Sequence, residues 1–244
     1  GGLGFSVILD IIRVKTFKKL TIHSKLVVAM TAILLSIGFL LFFILEFTNP
    51  STIGNLNFGD KVVASLFQSV TARTAGFNTI DTAGLTDSSK FLTVILMFIG
   101  GSPGSTAGGI KTTTFAIVII SIIAILKGRD DTELFNRRLS RDVTDRVLVV
   151  FGIAISLVVF VTFLLTISEG NKEFLDIFFE TISAFGTVGL STGITSDLSS
   201  LGKIIISLTM FSGRVGPVTV VIALAHRHKK KNSIRYPEGK ISVG

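Results

Sequence analysis

Two long stretches without a charged residue constrain the fold of this 244-residue chain more than any other feature of its sequence. They are residues 26–45 and 147–167. About 20 consecutive apolar residues suffice for a helix that crosses a bilayer, so each stretch predicts a transmembrane helix. The mean hydropathy of +0.70 and the charged fraction of 16% agree, because soluble proteins carry roughly 25% charged residues. A soluble enzyme is therefore excluded, and a multi-pass membrane protein is expected.

A sequence pattern that occurs twice divides the chain into two units. Residues 67–77 are echoed by residues 179–190 with a one-residue slip, and aligning Gly76 with Gly189 gives an offset of 113 residues that also aligns Gly100 with Gly213. Such self-similarity indicates repeated structural units. Each unit is predicted to contain a long apolar helix, a short amphipathic helix, a Thr-x-Gly turn and a second apolar helix with a glycine-rich break. The expected fold is an all-α membrane protein with two parallel helix–pore-helix–helix repeats.

The short helix of each unit is predicted to enter the membrane without crossing it. Residues 58–73 would form a helix only ~24 Å long at 1.5 Å per residue, which is too short and too polar to span a bilayer. Residues 173–185 are its counterpart in the second unit. Both are therefore expected to be re-entrant half-helices.

The remaining helices and linkers follow from the apolar stretches and the glycines between them. The second apolar helices are expected over 89–127, interrupted at 100–109, and over 200–225, with a break at 213–217. The predicted segments are the end of a preceding unit with a cytoplasmic linker (1–24), a unit (25–127), a cytoplasmic linker (128–143), a second unit (144–226) and a basic cytoplasmic tail (227–244).

The basic residues predict the orientation of the chain in the membrane. Of the 24 Lys and Arg residues, 17 lie in residues 10–25, 127–146 and 226–240. Loops rich in Lys and Arg face the cytoplasm, so these loops and the C-terminus are expected there, and both turns are expected to open to the outside. The basic clusters flank membrane spans, so topology explains them without nucleic-acid binding.

The Thr-x-Gly turns are candidates for a cation site. Non-helical backbone at membrane depth is tolerated only inside protein or beside a water-filled cavity, and rings of backbone carbonyls can replace the hydration shell of a cation. The predicted site residues are Thr74, Ala75, Gly76, Thr187, Val188 and Gly189. Phe77 and Leu190 are expected to pack behind the turns. The alternative is that both turns are ordinary loops that cap helix hairpins.

Three motifs resemble those of the Trk/Ktr/HKT superfamily of potassium transporters: residues 69–78, 182–190 and 100–111. The tail and the small loops are most similar to the membrane subunit of the bacterial Ktr system. The resemblance implies that the two units are the last two of four repeats, that K+ is transported, and that Gly76 and Gly189 line a single K+ filter. The other two filter glycines would then lie upstream of Gly1, in the N-terminal half of the same transporter.

The glycine-rich break is a candidate gate. A phosphate-binding loop would need Gly directly before Lys, whereas Ile110 separates Gly109 from Lys111. The resemblance implies an intramembrane gating loop, and the alternative is a passive kink that relieves helix packing. The predicted gate residues are Gly100, Gly101, Ser102, Pro103, Gly104, Ser105, Thr106, Ala107, Gly108, Gly109, Lys111 and Arg214.

Arg214 is the most informative single charge, because a cation at membrane depth is costly unless it faces protein or water. It would repel K+ and therefore cannot be a ligand for that ion. We expect it below the filter, held by carbonyl groups of the glycine-rich break, where it keeps the pore shut. The alternative is a structural ion pair with a buried carboxylate of the N-terminal half.

The resemblance also implies partners. They are a second copy of the transporter in a homodimer, the lipid bilayer and a cytoplasmic nucleotide-binding regulatory ring of the RCK/KTN type. Sodium stimulation is a family expectation, although no residue marks a sodium site. The expected location is the bacterial plasma membrane.

Two other functions stay open, a secondary transporter with a broken-helix substrate site and a non-conducting anchor for a cytoplasmic partner. No arrangement of catalytic residues indicates an enzyme, and no metal site is expected at His23, His226 or His228.

Overall fold

The computed structural model describes residues 2–129 and 131–216 of the chain. In order, its helices are α1 (Phe5–Val14), a short 3-10 helix (Phe17–Lys19), α2 (Ile22–Glu46), α3 (Phe58–Thr71), α4 (Asp87–Phe98), α5 (Thr112–Leu126), α6 (Arg141–Ser168), α7 (Phe174–Gly186) and α8 (Ser200–Val215). Two of them, α2 and α6, are long and apolar enough to cross a membrane. They contain the two uncharged stretches of the sequence, and the short helices α3 and α7 follow them as expected.

The second apolar helix of the first unit is broken. Helix α4 ends at Phe98 and α5 begins at Thr112, so the predicted interruption at 100–109 lies within this gap. In the second unit α8 is helical through Val215 and ends at Gly216, which has φ 93°, so the helix ends within the predicted break at 213–217 but three residues after its start. Gly213 and Arg214 are therefore part of a helix. Residues 217–226 of the predicted unit and the tail 227–244 lie outside the described residues.

The linker between the units contains two short strands that the all-α prediction missed. Strands β1 (Glu133–Leu134) and β2 (Arg137–Arg138) pair antiparallel. Phe135 and Asn136 connect them with φ values of 49° and 61°, as in the tight hairpin turns that match the twist of the strands. Asn tolerates this left-handed conformation, which is the local signal for the turn.

The core lies where α4 and α7 pack together. Its largest fully buried side chains include Phe42, Met97, Phe179 and Phe185. Helix α8 approaches α7 closely at Gly213, where a Cβ atom would collide with the carbonyl group of Phe185. This glycine is therefore required by packing, since any side chain there would push α8 away from the end of α7.

A buried carboxylate caps α4, the first part of the broken second apolar helix of the first unit. Glu46, at the end of α2, accepts hydrogen bonds from the backbone N–H and the hydroxyl of Thr86 at 3.0 and 2.7 Å. Thr86 is the N-cap of α4, and its hydroxyl accepts from the N–H of Ser89 at 3.3 Å. The carboxylate thus binds the positive end of α4.

The second unit repeats this arrangement. Glu169, just after α6, accepts from the backbone N–H of Ser199 at 3.1 Å and from its hydroxyl at 2.5 Å. Ser199 is the N-cap of α8 and accepts from Gly202 N–H at 3.0 Å. In both units, a glutamate therefore joins the end of the first apolar helix to the start of the second and fixes the two ends of the segment between them.

Candidate functional site

Both short helices end in turns with an unusual backbone conformation. In the first turn, residues 74–76, Thr74 has φ 65° and Gly76 has φ 75°. In the second turn, residues 187–189, Thr187 has φ 51° and Gly189 has φ 92°. The middle residue of each turn is not among the described residues with positive φ, so the sign of φ alternates in both turns. Positive φ is uncommon for threonine, and such strain clusters at functional sites.

In both turns, N–H groups have partners in the preceding helix. In the first turn, the N–H groups of Ala75 and Gly76 both donate to the carbonyl of Thr71, at 3.2 and 3.1 Å. In the second, Val188 N–H donates to the Ser183 carbonyl at 2.9 Å. These N–H groups are thus used by the preceding helix.

The two turns lie side by side although 112 residues separate Gly76 from Val188 in the sequence. A Cβ atom on Gly76 would overlap the carbonyl oxygen of Val188 and would lie 3.6 Å from the Cα of Gly189. The structure therefore brings the two predicted site segments together, and Gly76 is needed both for its positive φ and for this close approach.

The two turns are held by different side chains. The hydroxyl of Thr71 donates to the carbonyl of Phe77 at 2.7 Å. Behind the second turn, the carboxylate of Glu180 accepts from the hydroxyls of Ser191 at 2.9 Å and Thr195 at 2.5 Å. Both partners of Glu180 lie in the loop that follows the turn.

The expectation for the residues after the two glycines is only half correct. Leu190 is 1% exposed and packs in the core as expected. Phe77 is 69% exposed in this chain, so the prediction that it packs behind the first turn is wrong for the described residues. After Gly189 the chain returns to Glu180, which Ser191 and Thr195 bond.

The break between α4 and α5 forms a compact loop, residues 99–111, which we call the glycine loop. Ile99 and Ile110 form a parallel bridge. Gly100 N–H donates to the Ile110 carbonyl at 2.8 Å, and Thr112 N–H donates to the Gly101 carbonyl at 3.0 Å. These bonds close the two ends of the loop, residues 99–101 and 108–111, which we call its neck. Residues 102–107 form its tip.

The neck contacts both Arg73, which precedes the first turn, and the second turn. On one side, Nη2 of Arg73 donates to the carbonyl of Gly100 at 2.9 Å. On the other, a Cβ atom on Gly108 would collide with the side chain of Thr187. Gly109 is equally close, since its Cβ would lie 3.3 Å from the Cα of Gly186. The two predicted sites, turns and break, are thus in direct contact.

The tip is held by bonds from several parts of the chain. Ser102 N–H donates to the Gly2 carbonyl at 2.8 Å, and Gly4 N–H donates to the Ser102 hydroxyl at 2.5 Å. The ammonium of Lys111 donates to the Ala107 carbonyl. The guanidinium of Arg214 donates to the Thr106 carbonyl.

The Arg214 bond therefore reaches a carbonyl group of the glycine loop, as expected from the sequence, and its role in gating stays a prediction. In the part of the chain that the structure describes, no carboxylate forms an ion pair with Arg214. Among the same residues, no group of three or more His, Asp or Glu side chains could hold a metal ion. His226 and His228 lie outside the described residues.

Sequence reasoning missed the contacts that join distant segments. It did not predict the bond between Arg73 and Gly100, and it did not identify Glu46 or Glu169. The only signal for the two glutamates was their position at the end of a long apolar stretch, in units whose second apolar helix begins after a Thr or Ser.

Comparison with known proteins gives consistent results. The sequence profile of TrkH, described as a cation transport protein, matches residues 1–236. Ktr system potassium uptake protein B of Bacillus subtilis is 43% identical over 244 residues, covering 100% of this chain and 54% of that protein. Potassium/sodium uptake protein NtpJ of Enterococcus hirae is 41% identical over 250 residues, covering 100% of this chain and 55% of that protein.

The fold also has a solved counterpart. The crystal structure of the potassium transporter TrkH from Vibrio parahaemolyticus matches with a TM-score of 0.74 at 21% identity, over 91% of this chain and 48% of that one. The chain spans about half the length of the curated relatives that it matches, and the match lies in their C-terminal half.

Proposed function

This chain belongs to the TrkH family of cation transport proteins, and from that premise we propose that it forms half of a K+ uptake pathway across the plasma membrane. The observation that carries the proposal is the pair of adjacent Thr-x-Gly turns with the same alternating φ signs. The names of two relatives, which describe potassium uptake and potassium/sodium uptake, support the choice of ion.

In the proposed filter, carbonyl groups of residues 74–76 and 187–189 replace the hydration shell of K+. The C-terminal ends of α3 and α7 adjoin these turns, and each carries roughly half a negative charge that favours a cation. K+ would bind at Gly76 and Gly189 without a carboxylate ligand. Two equivalent turns from the N-terminal half would complete a ring of four.

The two units are then the third and fourth helix–pore-helix–helix repeats of the complete transporter, at residues 25–127 and 144–226. Helices α3 and α7 are its re-entrant pore helices. The basic segments and the tail face the cytoplasm, and both turns open to the outside.

The glycine loop is the proposed gate. Its neck lies against the second turn at Thr187, so a K+ ion that leaves the filter meets the loop next. The tip is held by separate hydrogen bonds, including the one from Arg214, and the cation of Arg214 repels K+ in the closed pore. Opening requires the tip to move and Arg214 to release the Thr106 carbonyl.

The partners proposed for the complete protein are a second copy in a homodimer and a cytoplasmic nucleotide-binding ring of the RCK/KTN type. One relative is named as protein B of a Ktr system, which supports a membrane subunit that works with other components. The name potassium/sodium uptake protein supports a proposed effect of Na+ on transport.

The test uses the full-length protein in a bacterium that lacks its own K+ uptake systems. We expect the wild type to restore growth at low K+ and the variants Gly76→Ser and Gly189→Ser to reduce the K+ to Na+ selectivity. Gly59→Ser is a matched control, because Gly59 lies on α3 and a Cβ there would meet no atom within 4 Å. Intact selectivity in both filter variants would reject the filter and favour a broken-helix carrier. A wild type that moves no K+ would favour a membrane anchor.

A further inference from the structure

Arg73 is a buried cation in an unusual position. It is 9% exposed and directly precedes the first turn. Its Nη2 donates to the carbonyl of Gly100 at 2.9 Å, and its Nε has no hydrogen-bond partner among the described residues. Within residues 2–129 and 131–216, no carboxylate forms an ion pair with it. A buried charge is costly unless it is paired, so a guanidinium at this position needs a reason beyond packing.

The carbonyl group that accepts from Arg73 belongs to the segment where the two ends of the glycine loop meet. Gly100 belongs to the neck of the glycine loop, where its N–H donates to the Ile110 carbonyl at 2.8 Å while its own carbonyl accepts from Arg73. A Cβ atom on Gly100 would collide with the carbonyl of Gly108, so the two ends of the neck are in contact. A single side chain therefore joins the residue before the first turn to the 99–101 end of the neck, which is itself bonded to the 108–111 end.

The neck and the tip are held in different ways. The neck is closed by three backbone hydrogen bonds, two of which form the parallel bridge of Ile99 and Ile110, and it contacts the second turn through Gly108 and Thr187. The tip, residues 102–107, is bonded to the side chains of Lys111 and Arg214 and, through Ser102 and Gly104, to residues 2–5. The bonds of the tip can break while the bridge that closes the neck stays intact.

We infer that Arg73 is a positioning residue that fixes the neck of the glycine loop to the first turn, so that opening displaces only the tip. The inference rests on the proposed function, since it assigns parts to the proposed filter and gate. Arg73 and Arg214 then have different tasks. Arg73 holds the part of the loop that supports the filter, and Arg214 holds the part that closes the pore.

This difference predicts distinct phenotypes in full-length protein reconstituted in liposomes. Arg214→Gln releases the tip, so basal flux of radioactive rubidium should rise about tenfold, equivalent to about 1.4 kcal/mol, with K+ to Na+ selectivity unchanged. Arg73→Gln releases the neck from the filter, so basal flux should rise and selectivity should fall together. Arg73→Lys keeps the charge and one donor but loses the guanidinium fork, and its selectivity should be intermediate.

Lys90 provides a matched control. It is also a buried cation, 8% exposed, but its ammonium pairs with the Asp176 carboxylate at 2.9 Å, away from the loop. Lys90→Gln should lower the thermal stability in detergent and leave selectivity and basal flux per folded molecule unchanged. This control separates a coupling role of Arg73 from a general effect of removing a buried charge.

The outcomes distinguish the inference from the proposed function on which it rests. If Arg73→Gln and Arg73→Lys lower stability like Lys90→Gln but keep wild-type selectivity and basal flux, the coupling role is rejected. If Arg73→Gln does not fold, Arg73→Lys decides alone, because wild-type selectivity in that variant contradicts the inference. If Gly76→Ser also has wild-type selectivity in the same assay, the filter itself is rejected.

Discussion

The Cα atom of Gly76 faces the carbonyl group of Val188 so closely that a Cβ on Gly76 would overlap its oxygen. Each of these residues belongs to one of the two proposed filter turns, and each turn comes from a different unit of the chain. The contact fixes the relative position of two backbone segments whose carbonyl groups are proposed to bind the same ion.

Replacing Gly76 with alanine should abolish selective transport. The left-handed conformation costs a non-glycine residue about 1–2 kcal/mol, and the new methyl group would also push the second turn away through Val188. The measurement is K+ and Na+ uptake by cells that express the full-length protein. Gly59→Ala, on an open face of α3, should retain wild-type selectivity. Wild-type selectivity in Gly76→Ala would contradict the assigned geometry.

Replacing Arg214 with glutamine should increase K+ flux in the absence of any regulator. The variant loses the hydrogen bond to the Thr106 carbonyl and the positive charge that repels K+. Hydrogen bonds to charged groups contribute about 1.5–3 kcal/mol, so an increase of tenfold or more is expected in a liposome flux assay. Lys203→Gln is a control, since Lys203 lies on the same helix and bonds the Ser196 carbonyl. Equal basal flux in wild type and Arg214→Gln would remove Arg214 from the gate.

Replacing Glu180 with glutamine should weaken the second turn. The carboxylate accepts from Ser191 and Thr195, and the loss of one bond to a charged group should destabilise the protein by about 1.5–3 kcal/mol. Thr195→Val removes one of the same bonds, so thermal unfolding of the double variant should show less than the sum of the two single effects.

The control for this pair is Ser196→Ala. The Ser196 hydroxyl bonds Gly193 and Asp197 instead of Glu180, so its effect should add to that of Glu180→Gln. Additivity of Glu180→Gln with Thr195→Val would show that the contact contributes nothing to stability.

Glu169 should make folding stability depend on acidic pH. Hydrogen bonds from the Ser199 hydroxyl, and then from its backbone N–H, hold the pKa of Glu169 below its ordinary value of 4.5. A lowered pKa in the folded protein means that the stabilisation is present above about pH 4.5 and is lost as the pH falls through the folded pKa. The midpoint of thermal unfolding in detergent should therefore fall less steeply with acidification in Glu169→Gln than in the wild type. Glu173→Gln, at a neighbouring exposed carboxylate, should keep the wild-type slope, and an unchanged slope in Glu169→Gln would contradict the assignment.

The local elements could be predicted because each depends on nearby residues. The uncharged stretches 26–45 and 147–167 predict α2 and α6, and the turn glycines Gly76 and Gly189 both have the positive φ that glycine favours. The extent of the second predicted break was wrong because a glycine is compatible with either a helix or a turn. Glycines interrupt the helix between α4 and α5, whereas Gly213 stays within α8 because it packs against Phe185.

The sequence by itself determined which segments are apolar helices, which are short helices and where the backbone leaves the helical conformation, because these depend on hydrophobicity and on the properties of glycine over a few residues. Only the tertiary structure decided which groups meet. Arg73 and Gly100 are 27 residues apart, and Arg214 and Thr106 are 108 apart. A guanidinium can bond any carbonyl group within reach, so the side chain does not encode its acceptor. Packing of α2 against both α3 and α4 brings Arg73 to Gly100, and packing of α7 against both α4 and α8 brings Arg214 to Thr106.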